Sequence, residues 1–177
     1  MSNDTALLVI DVQLGIFQEE TPLFNAEQLL ANINDLIGRA RANGIPVIFI
    51  QHNGAEGDSL HPSQPGYAIH PALVPLPGEA VIAKDFGNAF KKTPLQALLQ
   101  EKGITKLVVT GLVAQYCVKA TWRGALKLGY QVTLVADAQS TFAQKRPTAP
   151  KIIERLNRAI VEAGGQLKTT AQVTFEE

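Results

Sequence analysis

The chain has 177 residues, with 16 Lys plus Arg against 16 Asp plus Glu and a formal net charge of zero, which excludes a strongly basic nucleic-acid glove or an acidic solvating tail as its main business. Hydrophobic residues make up 46% and charged residues 18%, enough for a core and too apolar for disorder, while no apolar run approaches the ~20 residues of a membrane span. The single cysteine, Cys117, excludes an internal disulfide and a multi-cysteine metal site.

The start, Met1-Ser2-Asn3-Asp4-Thr5, has no basic region before its apolar stretch, so a cytoplasmic enzyme or binding protein is expected. The first apolar run is Ala6 to Ile10, without polar alternation, as in a strand buried on both faces. Next, Leu29, Leu30, Ile33, Leu36, Ile37 and Ala40 recur at helical steps and mark one helix face, which Gly44 ends. A second strand is predicted at Val47 to Ile50. Asn53 to Gly78 is rich in Gly, Pro, Ser and His; a loop of that length is either functional, as a lid, or a surface excursion with a short helix. A third run, Ala80 to Ala83, leads to Lys84. Thr93 as N-cap, Pro94 at the first helical position and Gln96 closing a capping box predict a helix with Leu95, Leu98 and Leu99 inward, ending at Gly103. A fourth strand falls at Leu107 to Val109, and a helix from near Cys117 ends at Gly129, a left-handed C-cap. Val132 to Ala136 is the fifth strand. A helix from about Pro150 to Ala163 carries the stripe Ile152, Ile153, Leu156, Ala159, Ile160 and Ala163, and a last strand lies within Gln166 to Phe175.

Alternating strand and helix predicts one α/β domain over residues 1–177, with a mainly parallel sheet and helices placed alternately on its two faces by right-handed crossovers. Ligands in such folds bind at the carboxyl ends of the strands. There the sequence places Asp11 and Gln13, then Gln51, His52 and Asn53, then Lys84 and Asp85, then the stretch from Gly111 to Cys117, then Asp137. Each has an ordinary structural role open to it: a lone cysteine is most often a small buried hydrophobe, and an Asp after a strand often caps a turn. The combination of acid, amine and thiol at one rim is what points to chemistry. An ammonium drawn into apolar surroundings by Val81 to Ala83 needs a partner, and Asp11 is the natural one. A thiol in the first turn of a helix sees its positive end, which is expected to lower its pKa from ~8.5. Ala120 and Gly124 are expected to let that helix sit close to the sheet.

These stretches resemble the isochorismatase-like cysteine hydrolases, relatives of nicotinamidases and N-carbamoylsarcosine amidases. The resemblance rests on Ala6 to Gln13 with Phe17, on Pro77-Gly78-Glu79 through Lys84 to Ala89-Phe90, on Gly111 to Val118 with Thr121 and Arg123 to Ala125, and on Val135 to Ala138 with Ser140-Thr141. It implies a six-stranded parallel sheet of order 3-2-1-4-5-6 with helices on both faces, a three-layer αβα fold. It implies a catalytic triad of Asp11, Lys84 and Cys117, and a cis peptide between Leu112 and Val113 that aims the Val113 N–H, with that of Cys117, as an oxyanion hole. It implies hydrolysis of an amide, ureido or carbamoyl C–N bond in a small molecule, and a homodimer or larger homo-oligomer. Gln13, Phe17, His52, Phe86, Gln115, Tyr116 and Trp122 are pocket candidates, Trp122 above all a core candidate.

The departures shape the expectations. Nicotinamidases carry Asp-x-His after strand 2, whereas this chain reads Gln51-His52-Asn53, and His61 and His70 lack the metal-site spacing, so no metal and no other cofactor is expected. Ala114 and Asn88 stand where the family often has Thr and Ser. They keep open a second reading, a non-catalytic small-molecule-binding or scaffold member of the fold. Nucleotide binding is disfavoured because no G-x-G-x-x-G follows strand 1. No nucleic-acid or membrane partner is expected. Counted simply, the Lys84 strand lies two spacings from strand 1, about 10 Å at ~4.8 Å each, so contact with Asp11 requires an inward bend.

Overall fold

A computed structural model describes residues 4–175; the leader reading at Met1 to Asn3 lies outside them. All five apolar runs form strands, and a short sixth follows: β1 (Thr5–Ile10), β2 (Val47–His52), β3 (Ala80–Lys84), β4 (Lys106–Gly111), β5 (Gln131–Gln139) and β6 (Gln166–Lys168). They make one parallel sheet in the order β3-β2-β1-β4-β5-β6. The central strands are apolar throughout because each face meets a different core. Leu7 and Val9 of β1 pack into the layer containing Leu29, Ile33, Leu36 and Ile37, while Ala6, Leu8 and Ile10 pack with Leu95, Leu99, Trp122 and Ala125. Strand β3 differs: it is an edge strand, with Ile82 and Lys84 buried but Val81 and Ala83 exposed. Its apolar run therefore overstates its burial.

The helices are α1 (Leu14–Phe17), α2 (Ala26–Ala42), α3 (Leu95–Glu101), α4 (Lys119–Lys127) and α5 (Ala149–Glu162). They do not alternate between faces as expected. Helix α2 packs in one layer, together with Val173 and Phe175, whereas α3, α4 and Ile160 of α5 pack in the other. The reason is the sheet order: the chain moves outward from β1 in one direction and later returns to build in the other, so right-handed crossovers change face once. Helix α3 also starts later than the capping-box pattern suggested. Pro94 takes the cap position, and the Thr93 hydroxyl bonds the Leu95 N–H and the Ala89 carbonyl instead. Among the described residues no helix is long and apolar enough to cross a membrane.

Two local features open a crevice at the carboxyl end of the sheet. Gly111 ends β4 at φ +118°, and a Cβ there would lie 2.1 Å from the Ile10 carbonyl oxygen, so only glycine fits beside β1. Pairing of β4 with β5 then jumps from Val109–Leu134 to Gly111–Gln139, a bulge that lets β5 diverge. The crevice lies between β1 and β4, where strand order reverses. The chain leaving β4 does not enter an α-helix at once. It forms a π-helical turn, Ala114–Val118, which continues into α4, and Gly129 closes that helix at φ +89° as expected. The small residues of α4 admit a loop rather than the sheet: a Cβ on Gly124 would meet the Asn88 side chain at 2.6 Å, and Thr121 bonds the Ala89 N–H.

Candidate active site

Asp11, Lys84 and Cys117 come from three separate segments and meet at this crevice. Asp11 follows β1 with φ +51°, which ends the in-out alternation of the strand. Lys84 closes β3 opposite His52, the last residue of β2, so its side chain passes over the end of the intervening strand. Its ammonium has three N–H donors and finds three acceptors: Asp11 Oδ2 at 3.0 Å, His52 Nδ1 at 3.1 Å and Cys117 Sγ at 3.1 Å. That match is why a lysine only 1% exposed is tolerated here. An ammonium has no lone pair to accept with, so His52 Nδ1 must be the acceptor and the neutral ring carries its hydrogen on Nε2. Burial, then the neighbouring Lys84 charge, lowers the His52 pKa and favours this neutral form.

One Asp11 oxygen, one His52 nitrogen and the Cys117 sulfur lie within 4.8 Å of one another. Those are metal-type donors, but they converge on the Lys84 ammonium, which holds the cation position itself. His61 pairs with Ser63 and His70 packs on Phe17, with ring centroids 4.6 Å apart, so neither joins the cluster.

The electrostatics reverse one expectation. The Cys117 thiol is pushed up to about 12, mainly by burial and then by the Asp11 charge, with Lys84 opposing. Loss of solvent and the adjacent carboxylate outweigh the positive end of the helix. A shift in that direction favours the protonated thiol at neutral pH. Burial also raises the Asp11 carboxyl above the ordinary carboxylate range, against the pull of Lys84. Asp11 Oδ1 is buried and has no hydrogen-bond partner among the described residues.

A cavity of about 250 Å³ opens over Asp11, His52 and Cys117. Of the pocket candidates, His52 and Tyr116 line it. Gln13 does not: it is fully buried, bonding the His52 carbonyl and N–H and the Tyr67 carbonyl. It is a clamp that fixes β2 and the long loop against the start of α1. Phe17 packs in the core layer and on His70, Phe86 sits under the Lys91 ammonium at 3.9 Å, and Trp122 is core. Gln115 holds its Oε1 buried beside the turn rather than on the cavity wall. Asp137, also at the strand-end rim, accepts from the Thr170 N–H and hydroxyl, which leaves it a structural cap.

Sequence reading missed the walls. Ile16, Leu60 and Phe142 supply apolar surface, and Glu19 and Asp58 supply carboxylates. The length of the loop from Asn53 to Gly78 was the one signal that pointed to Asp58 and Leu60. That loop holds a 3₁₀ turn at Pro65–Tyr67 and is pinned where Gln13 and Gln51 both donate to the Tyr67 carbonyl. The Leu112–Val113 peptide is cis; Leu112 is core and donates its N–H to the Ile10 carbonyl, and Val113 lines the cavity.

The isochorismatase domain profile matches residues 5–171. The chain belongs to that family. It is 37% identical over 155 residues to a streptothricin hydrolase of Streptomyces noursei, covering 88% of this chain and 61% of that protein. It thus spans about six-tenths of that relative's length. It is 29% identical over 172 residues to the ureidoacrylate amidohydrolase RutB of Pseudomonas syringae pv. syringae, covering 76% of this chain and 70% of that one. An isochorismatase crystal structure from Pseudomonas putida KT2440 superposes with a TM-score of 0.91 at 32% identity, covering 97% of this chain and 91% of the other. The relatives in this family thus include proteins named as a hydrolase and as an amidohydrolase.

Proposed function

We propose that this chain hydrolyses a non-peptide C–N bond of amide, ureido or carbamoyl type through an acyl-thioester on Cys117. The observation that carries the reading is the orphaned, buried Asp11 Oδ1 beside a thiol that burial keeps protonated. A protonated thiol is a poor nucleophile and needs a base at the moment of attack. Asp11 takes the proton from sulfur as sulfur bonds the carbonyl carbon. Lys84 holds the sulfur through its N–H and offsets the single negative charge that moves from the Asp11 carboxylate to the sulfur as the proton passes between them. The N–H groups of Val113 and Cys117 stabilise the oxyanion. As the C–N bond breaks, Asp11 returns the proton to the leaving nitrogen. A water then loses a proton to Asp11 and attacks the thioester, releasing the acid, and the proton returns to sulfur.

Streptothricin and ureidoacrylate are the first compounds to test, on the strength of the relatives' names. With a turned-over compound, rapid quench and intact-mass measurement are expected to find the acyl group on Cys117, and Cys117→Ala is expected to abolish turnover while remaining folded. Turnover that survives in Cys117→Ala contradicts the covalent route. No adduct and no turnover across small amides, ureido acids and carbamoyl compounds would favour a binding member of the fold.

A further inference from the structure

We infer that the substrate carries a positive charge, as an ammonium or guanidinium group set a few ångströms from the scissile bond. This rests on the hydrolase reading above and names the class of molecule it acts on. The floor of the cavity is already neutralised, since the Lys84 ammonium is taken up by Asp11, His52 and Cys117 and is almost wholly buried. The rim is not. Glu19, just beyond α1, and Asp58, in the long loop, both line the cavity and both are exposed. Neither belongs to an ion pair among the described residues. Their bonds are to neutral groups: Glu19 Oε1 accepts from the Ser59 hydroxyl at 3.3 Å, and Asp58 Oδ1 accepts from the Leu60 N–H at 2.8 Å. The first links the two segments, so the two acids sit on one side of the opening.

Among the described residues no lysine or arginine lines the cavity. Its remaining wall is apolar and aromatic and includes Phe142 and Tyr116, the latter 65% exposed. Two carboxylates without a cationic partner, in a cavity also lined by aromatic rings, match an organic cation, which gains from the charges and from the ring quadrupoles. An anionic substrate would meet Glu19 and Asp58 before reaching the sulfur. The orphaned Asp11 Oδ1 at the bottom ties this rim to one reacting centre, so the charged group and the scissile bond belong to the same molecule.

The test uses three primary amides of matched chain length, ending in an ammonium, a methyl group and a carboxylate. Hydrolysis is followed by ammonia release with the wild type, and binding by calorimetry with Cys117→Ala. The ammonium amide is expected to exceed the methyl amide by about fivefold or more in kcat/KM at low ionic strength, with the carboxylate lowest. The gap is expected to shrink toward one near 1 M salt, where the screening length is about 3 Å. In a Glu19→Gln/Asp58→Asn double variant the preference is expected to collapse through KM rather than kcat. Equal or better use of the methyl or carboxylate amide overturns the inference, as does a preference that survives the double variant. Hydrolysis without charge preference sinks this inference alone. Selective binding of the ammonium amide without hydrolysis by the wild type sinks the hydrolase reading alone. Neither binding nor hydrolysis of any of the three overturns the inference.

Discussion

Two Asp–Lys pairs bracket strand β1. At its amino end Asp4 meets Lys106 at 3.1 Å, and at its carboxyl end Asp11 meets Lys84 at 3.0 Å. The separations are nearly the same and the physics is opposite. The Asp4 pair stands in solvent, its side chains 37% and 49% exposed, and Asp4 is further held by the Thr105 hydroxyl. Those bonds, Thr105 first, lower the Asp4 carboxyl below its ordinary range. The Asp11 pair is sealed, with side chains 2% and 0% exposed, and there loss of solvent outweighs the ammonium and raises the carboxyl. Water, not distance, decides which of the two carboxyls is lowered and which is raised.

The comparison breaks most sharply on turnover. Asp11→Asn is expected to lower kcat/KM by roughly a thousandfold or more, in the range of a lost general base. Asp4→Asn is expected to leave it unchanged. Equal losses in the two variants would mean that the pairs act alike, through the fold alone.

Stability sharpens the same contrast. Lys84→Met leaves Asp11, one thiol and one imidazole without their shared donor, and is expected to cost about 3–5 kcal/mol in chemical denaturation. Lys106→Met is expected to leave the denaturation midpoint where it was. A mild Lys84→Met variant would show that the buried ammonium is not what holds the cluster together.

Much of this was legible in the sequence, though not evenly. The apolar runs located the strands because central strands buried on both faces need no polar alternation, and the helix stripes were equally plain. The run at β3 misled in part, since periodicity alone does not tell an edge strand from a central one. The sheet order came from the resemblance, not from the residues. Asp11, Lys84 and Cys117 were legible because strand ends share one rim. Their reach across β2 was not, because it depends on the register that sets Lys84 opposite His52. Gln13 was misread as pocket: nothing in a sequence reveals that a side-chain amide will spend all its bonds on the backbone of His52 and Tyr67. Glu19 and Asp58 escaped notice because cavity walls are built by loops whose meeting is fixed only in three dimensions. The thiol pKa was assigned the wrong sign because a helix end can be seen in sequence and desolvation cannot.

That sign gives the most direct test of the central claim, which is that Asp11 activates a thiol that is protonated at rest. The rate of Cys117 alkylation by iodoacetamide at neutral pH is measured in the wild type and in Asp11→Asn. With the thiol near 12, the wild type is expected to react at least about tenfold more slowly than a free thiol of ordinary pKa. Asp11→Asn removes the base that takes the proton and is expected to slow alkylation further in the same variant that loses turnover. Wild-type labelling as fast as that of a free thiol, or alkylation that speeds up in Asp11→Asn, would contradict the account.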